Sequence, residues 1–222
     1  MSTLDTSRIS SLLDRLYLEA AVTSADLRGR MASLSPAERQ RWLSDGDALY
    51  RDLATVHMPV SRAVGRALHV LALTSGARTI VEFGTSFGLS TIPLAAALRD
   101  GGGGRLITTE LVSSKADAAR RHLAEAGLED LVEIRVGDAL RTLAEDLPAI
   151  VDLVLLDGHK PLYEPVLELL LPRLRRGASI VADNAAAAPA YLERVRSPGS
   201  GFVSVLLADD VEWSVWMDRA QT

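Results

Sequence analysis

The chain has 222 residues, 48% of them hydrophobic and 24% charged, with 24 Lys and Arg against 29 Asp and Glu for a formal net charge of -5. That balance suits one α/β core with or without a helical appendage, excludes a fibrous or disordered chain, and offers no basic stripe for a nucleic-acid backbone. Cysteine is absent, which excludes disulfides, thiolate metal sites and a cysteine nucleophile and leaves oxygen or imidazole as the only metal ligands.

Met1 to Arg15 lacks an apolar stretch of signal-peptide type, and no later run approaches the roughly 18 apolar residues of a membrane span. A cytoplasmic protein without membrane contact is the expectation. Residues 1–57 read as a helical segment: Ile9, Leu12, Leu13 and Leu16 recur at helical spacing, and Ser35-Pro36-Ala37-Glu38 is a capping box with proline at the first helical position. A further helix starts at Ser61 and ends before Gly76, with Val64, Leu68, Leu71, Val70 and Leu73 as its apolar side.

From Arg78 the pattern changes to short apolar runs alternating with helical stretches, the mark of a parallel sheet with crossover helices. Strands are expected at Thr79 to Phe83, Leu106 to Thr109, Val132 to Val136, Val151 to Leu156 and Ser179 to Ala182. Ser113 is expected to cap a helix that stops at Gly127, and Pro161 to open one that stops near Gly177. Phe202 to Leu207 and Val211 to Met217, joined by Ala208-Asp209-Asp210, read as a hairpin that gives the sheet an antiparallel edge. The fold class is α/β, a doubly wound sheet of about seven strands behind an N-terminal helical extension, with 58–222 as one continuous unit.

The turn after the first strand reads Glu82-Phe83-Gly84-Thr85-Ser86-Phe87-Gly88. Gly84 and Gly88 let backbone amides and a helix N-terminus approach a ligand, but the third glycine of the dinucleotide fingerprint is missing. With Glu82 close by, the turn suits a ligand carrying an ammonium and a sulfonium better than a pyrophosphate. Glu110, at the end of the second strand, stands where a carboxylate accepts two ribose hydroxyls, or else is a solvated strand-end acid. Asp138, in Gly137-Asp138-Ala139-Leu140, can border the adenine, cap a short helix near Arg141, or do both.

Asp157, in Asp157-Gly158-His159-Lys160, follows the fourth strand, and Asp183-Asn184 follows the fifth. Carboxyl ends of neighbouring strands share one crevice in open α/β sheets, so Asp157, Asp183 and Asn184 can converge. Two carboxylates and an amide form a hard oxygen set suited to magnesium. Taken singly, each aspartate reads equally as a loop cap. His159 reads as a pocket wall, with a ligand or proton-carrier role as the alternative.

With these motifs the chain resembles the class I S-adenosylmethionine-dependent, cation-dependent catechol O-methyltransferase-like family, in its bacterial branch, from about Met58 to the C-terminal hairpin. The resemblance implies that Asp157, Asp183 and Asn184 hold Mg2+, that Lys160 acts as base, and that Glu110 binds ribose. It also implies that Gly84, Ser86, Ser90 and the segment around Met58 and Val60 surround the methionine part of the cofactor, with Ala139 and Asp157 on the cofactor side. His159 stands where mammalian relatives carry a tryptophan. The expected activity is O-methylation of a small, catechol-like aromatic or natural-product acceptor, with S-adenosylmethionine and a divalent cation as cofactors. Lys160 takes the hydroxyl proton if neutral, or stabilises the oxyanion if charged. An N-methyltransferase and a non-catalytic cofactor-binding protein remain the alternatives. The same resemblance gives the N-terminal helices a lid or dimer-interface role and points to a homodimer.

Overall fold

The computed structural model describes residues 2–44 and 52–218. Helix α1 (Ser7–Ser33) buries Ile9, Leu12, Leu13, Leu16 and Ala20, three or four residues apart on one stripe, and buries no residue after Ala20. Helix α2 (Pro36–Ser44) begins on the capping box: the Ser35 amide donates to Glu38 Oε2 at 2.9 Å, and the Glu38 amide donates to Ser35 Oγ at 3.3 Å. Helix α3 (Arg62–Thr74) starts where Ser61 Oγ accepts the Val64 amide. Its buried face is Val64, Gly65, Leu68, His69 and Ala72. Val70 and Leu73, expected on that face, are 54% and 37% exposed, because their positions fall off the stripe set by 64, 68 and 72.

Seven strands form one sheet in the order β3-β2-β1-β4-β5-β7-β6. They are β1 (Thr79–Phe83), β2 (Arg105–Glu110), β3 (Val132–Val136), β4 (Val151–Leu156), β5 (Leu174–Ala182), β6 (Phe202–Ala208) and β7 (Val211–Trp216). The first five run parallel, and β7 pairs antiparallel with both β5 and β6. Between them lie α4 (Thr91–Asp100), α5 (Ser113–Ala126), α6 (Ala139–Thr142), α7 (Tyr163–Leu170) and α8 (Pro189–Arg196).

Side chains alternate across the sheet, so Ile80, Leu106, Leu153, Leu155 and Val181 join one core with α1, α3 and α4. Val81, Ile107, Val154, Leu156 and Ile180 join the other with α7 and α8. Both faces are covered, which is why β4 reads as an apolar run from Leu153 to Leu156. Each fully buried leucine or valine there contributes roughly 1.5–3 kcal/mol of transfer free energy.

Three helix limits differ from expectation, one of them the start of α7: Pro161 lies in a 3-10 turn over Lys160–Leu162 and the helix begins at Tyr163. Ser113 is the first residue of α5 rather than its cap, because Val112 takes the cap position and makes no side-chain cap bond; Gly127 closes the helix in the left-handed region as expected. Helix α7 stops at Leu170 rather than near Gly177. Pro172 has no amide hydrogen to continue the ladder, a 3-10 turn follows over Leu171–Arg173, and β5 begins at Leu174. Gly177, with φ of +81°, sits inside β5 where the register against β4 shifts. The strand therefore starts five residues before Ser179.

Chain order reverses between β1 and β4: β1 leads outward to β2 and β3, and the chain then returns to the other side of β1. The crevice at such a reversal, outside the carboxyl ends of the strands, is where open α/β sheets hold ligands.

Candidate active site

A cavity of about 680 Å³ opens at that reversal. Its floor is the turn after β1, and its walls come from the ends of β2, β4 and β5, the 57–59 segment, and Ser24 and Leu27 of α1.

The turn is shaped by backbone contacts that exclude side chains. Gly84 has φ of +108°, and a Cβ there would lie 2.5 Å from the Asp157 carbonyl oxygen. A Cβ on Gly158 would meet the Phe83 ring at 2.5 Å. The strand ends are therefore packed backbone to backbone, which draws Asp157 to the cavity. Ser86 also holds a positive φ, 48°, and its buried hydroxyl has no hydrogen-bond partner among the described residues. A left-handed serine is tolerated where its surroundings fix it, and such positions gather at ligand sites.

Beneath the turn, Glu82 is fully buried. Its Oε1 accepts the Ser90 hydroxyl at 2.6 Å, and its Oε2 accepts those of Thr91 at 2.7 Å and Thr108 at 2.6 Å. Burial pushes the Glu82 carboxyl up, and the three hydroxyls oppose that shift. Glu82, Gly88 and Val60 do not line the cavity; Met58, Gly84, Ser86, Ser90, Glu110, Asp138, Ala139, Asp157, His159, Lys160, Asp183 and Asn184 do. Glu82 is set back because its carboxylate is engaged by the hydroxyls that pin the turn to β2 and α4. Val60 is 1% exposed within the core, and its carbonyl accepts the Tyr17 hydroxyl of α1.

On one side of the turn, Glu110 Oε2 accepts the Ser86 amide at 2.8 Å and Oε1 accepts the Val112 amide at 2.9 Å. Each oxygen keeps acceptor capacity toward the cavity. Asp138 Oδ1 accepts the Leu140 amide at 2.9 Å, so it caps α6 while it borders the cavity.

On the other side, Lys160 Nζ lies 2.7 Å from Tyr163 Oη, 3.3 Å from the Asp183 carbonyl oxygen and 3.4 Å from Asp157 Oδ1. The Tyr163 hydroxyl donates to the Asp183 carbonyl at 2.8 Å. Burial pushes the Asp157 carboxyl up to about 7, the Lys160 charge opposing and the Asp183 charge adding to the shift. Burial likewise raises Asp183. Asn184 sits in the left-handed region, with its amide nitrogen donating to Asp210 Oδ2 at 3.2 Å. Among the described residues no three His, Asp or Glu side chains gather as a metal cluster. Two carboxylates whose charge is disfavoured by burial, beside an amide, nevertheless form a site that a hard divalent cation fits.

Three residues that the sequence alone did not single out belong to this picture. Tyr163 holds Lys160, and its signal is the three-residue spacing from Lys160 across one helical turn. Lys115 is 1% exposed at the cavity edge. His57, also at the cavity, stacks on Phe87 with ring centroids 3.7 Å apart. Nothing in local sequence marks a buried lysine or a histidine stack, since both depend on distant packing.

Residues 81–185 match the sequence family described as a methyltransferase domain. Catechol O-methyltransferase of Niastella koreensis is 38% identical over 143 residues, 62% of this chain and 64% of that protein. Catechol O-methyltransferase of Mycobacterium tuberculosis is 40% identical over 125 residues, 56% of each. The chain thus spans less than two thirds of the length of these curated relatives. The solved O-methyltransferase TomG of Streptomyces achromogenes, involved in tomaymycin synthesis and in complex with SAM, is 30% identical with a TM-score of 0.65, covering 88% of this chain and 96% of that one.

Proposed function

The chain belongs to the class I S-adenosylmethionine-dependent O-methyltransferases of the catechol O-methyltransferase-like family, and from that premise we propose that it methylates a hydroxyl of a small, catechol-like aromatic or natural-product acceptor with the help of a divalent cation. The observation that carries this reading is the convergence of Asp157, Lys160, Asp183 and Asn184 on the same cavity as Glu110 and the Gly84 turn. One half of the cavity suits a nucleoside with a methionine tail, and the other suits an ionisable hydroxyl.

The residues assign themselves by chemistry. Glu110 accepts two ribose hydroxyls while its backbone partners hold it rigid. Asp138 and Ala139 border the adenine. Gly84, Ser86, Ser90 and Met58 surround the methionine part. Asp157, Asp183 and Asn184 would hold the cation. When bound, S-adenosylmethionine supplies an electrophilic methyl group, and a divalent cation lowers the energy of a substrate oxyanion and favours acceptors with two adjacent oxygens. In-line displacement at a sulfonium needs chiefly alignment and a deprotonated nucleophile. Lys160 Nζ, set among Tyr163 Oη, the Asp183 carbonyl and Asp157 Oδ1 at the cavity wall, is the group that would receive the acceptor's proton. His159 and Leu162 form the wall beside it.

Purified protein incubated with S-adenosylmethionine, Mg2+ and a panel of catechols is expected to yield methyl ethers, and EDTA is expected to suppress them. Methyl transfer that EDTA leaves untouched would remove the cation from this reading; no transfer to any hydroxyl would remove the reading itself.

A further inference from the structure

Lys115, on the first turn of α5, lines the cavity and is 1% exposed. Among the described residues its ammonium makes no hydrogen bond or ion pair. Its Nζ stands 5.6 Å from the centre of the Phe87 ring, on which His57 also stacks with ring centroids 3.7 Å apart. A buried ammonium with only a ring for company is unfavourable, and a leucine or methionine would fill the same volume without that penalty. The side chain is therefore set for a partner that arrives through the cavity.

A second polar group lies beside it in the chain's packing. Ser86, the residue before Phe87, lines the same cavity with a buried hydroxyl that has no hydrogen-bond partner among the described residues. An ammonium and a hydroxyl both donate, and a desolvated ammonium favours an anionic oxygen over a neutral one. A carboxylate, with one charge and two acceptor oxygens, is the group that answers both.

An amino-acid cofactor or an acidic acceptor could bring a carboxylate here, and the topology favours the first. Phe87 follows Ser86 and His57 precedes Met58, so the neighbours of Lys115 are continuous with the residues around the methionine part. Helix α5 follows β2 on one side of β1, whereas Asp157, Lys160 and Asp183 stand at the ends of β4 and β5 on the other.

We propose that Lys115 is a cofactor-binding residue whose ammonium pairs with the α-carboxylate of the methionine part, with the Ser86 hydroxyl as a second donor. This rests on the Gly84 turn holding the methionine end of S-adenosylmethionine, as in the proposed function.

The test is titration calorimetry on wild type, Lys115→Met, Lys115→Gln and Ser86→Ala, with circular dichroism melts as a check on folding. The two ligands are S-adenosylhomocysteine and its decarboxylated analogue, which keeps the adenine, ribose, sulfur and amine. Lys115→Met is expected to weaken S-adenosylhomocysteine binding about 10- to 100-fold, the range of one charge-assisted hydrogen bond. The decarboxylated analogue is expected to bind Lys115→Met as well as wild type or better, because no ammonium is left buried and unpaired. Lys115→Gln, which keeps a donor without the charge, is expected to fall between, and Ser86→Ala to lose about threefold on S-adenosylhomocysteine alone.

Wild-type affinity for S-adenosylhomocysteine in Lys115→Met, or an equal loss for both ligands, would overturn the proposal. The first result, joined to a raised KM for 3,4-dihydroxybenzoate but not for catechol, would hand the lysine to an acidic acceptor instead. If Lys115→Met does not fold, Lys115→Gln takes its place, and loss of fold in both makes the lysine structural. A wild type that binds no S-adenosylhomocysteine at all would sink the cofactor reading itself, which separates the two failures.

Discussion

The missing side chain of Gly84 and the carbonyl of Asp157 occupy one space: a Cβ on the glycine would lie 2.5 Å from that oxygen. The turn that floors one half of the cavity and the strand end that supplies the other half are therefore a single packed contact. Gly84→Ala is expected to destabilise the protein by about 2–4 kcal/mol, from the clash and from φ of +108° together. It is also expected to weaken S-adenosylhomocysteine binding at least tenfold. Thermal melts and calorimetry check both, and a variant with wild-type melting and affinity would show that the β1 and β4 ends can separate freely.

Lys160 and Tyr163 share a 2.7 Å hydrogen bond. Lys160→Met is expected to lower kcat about 10²–10⁴-fold, the usual range for a lost proton acceptor, while S-adenosylhomocysteine affinity stays within about threefold. Tyr163→Phe removes one partner of the amine and is expected to cost roughly tenfold in kcat. Steady-state kinetics with a catechol acceptor separates them; a Lys160→Met enzyme at full kcat would assign the proton to another group.

Asp183 is half of the proposed cation pair. Asp183→Ala is expected to abolish Mg2+-dependent turnover while the protein still folds and binds S-adenosylhomocysteine. Because burial disfavours the Asp183 charge and that charge in turn pushes Asp157 up, removing it is expected to leave metal-free melting unchanged or higher. A collapse in melting temperature would make Asp183 a structural residue.

Much of this architecture was legible in the sequence, and the reasons are physical. Strands β1 and β4 announce themselves because both sheet faces are covered there and their positions are mostly apolar, with Glu82 and Asp152 as the acidic exceptions; β3, at the sheet edge, is marked by the alternation of Val132, Ile134 and Val136 with Glu133 and Arg135. The start of β5 was hidden because Arg175, Arg176 and Gly177 look like the end of a helix, while the bulge that accommodates them is set by pairing with β4. The cavity-lining residues Asp157, Lys160, Asp183 and Asn184 were visible at strand ends. Glu82 was visible too, but its engagement by Ser90, Thr91 and Thr108 depends on three segments meeting, which a single strand-turn motif does not encode. Lys115 and His57 went unmarked for the same reason.

Asp152, at the opposite end of β4, accepts the amides of Arg78 and Thr79 at 2.8 Å each and the Arg175 Nε at 2.6 Å. Burial alone would raise its carboxyl, but these donors outweigh it and hold the carboxyl below the usual range. A depressed carboxylate contributes stability that is present above its unfolded pKa of about 3.9 and is lost as pH falls through the folded value. Asp152→Asn is therefore expected to melt lower than wild type at pH 7, by a deficit of about 1.5–3 kcal/mol for a charge-assisted hydrogen bond. The gap is expected to close as pH drops below about 4. Circular dichroism melts across that window check it; a gap that does not change with pH would mean the carboxylate's charge is irrelevant there.

Helix α1 buries nothing after Ala20, yet Ser24 and Leu27 from that half border the cavity. The 57–60 segment that faces them is tied to α1 through His57 with Thr23 and through Val60 with Tyr17. Residues that border the cavity from a helix turn with no core duty can be substituted without undermining the fold. The two demands on the chain thus fall in separate stretches: the strand-end carboxylates and Lys160 sit on the packed sheet between positions 82 and 184, and the rim at 24 and 27 can be reshaped without removing a core contact.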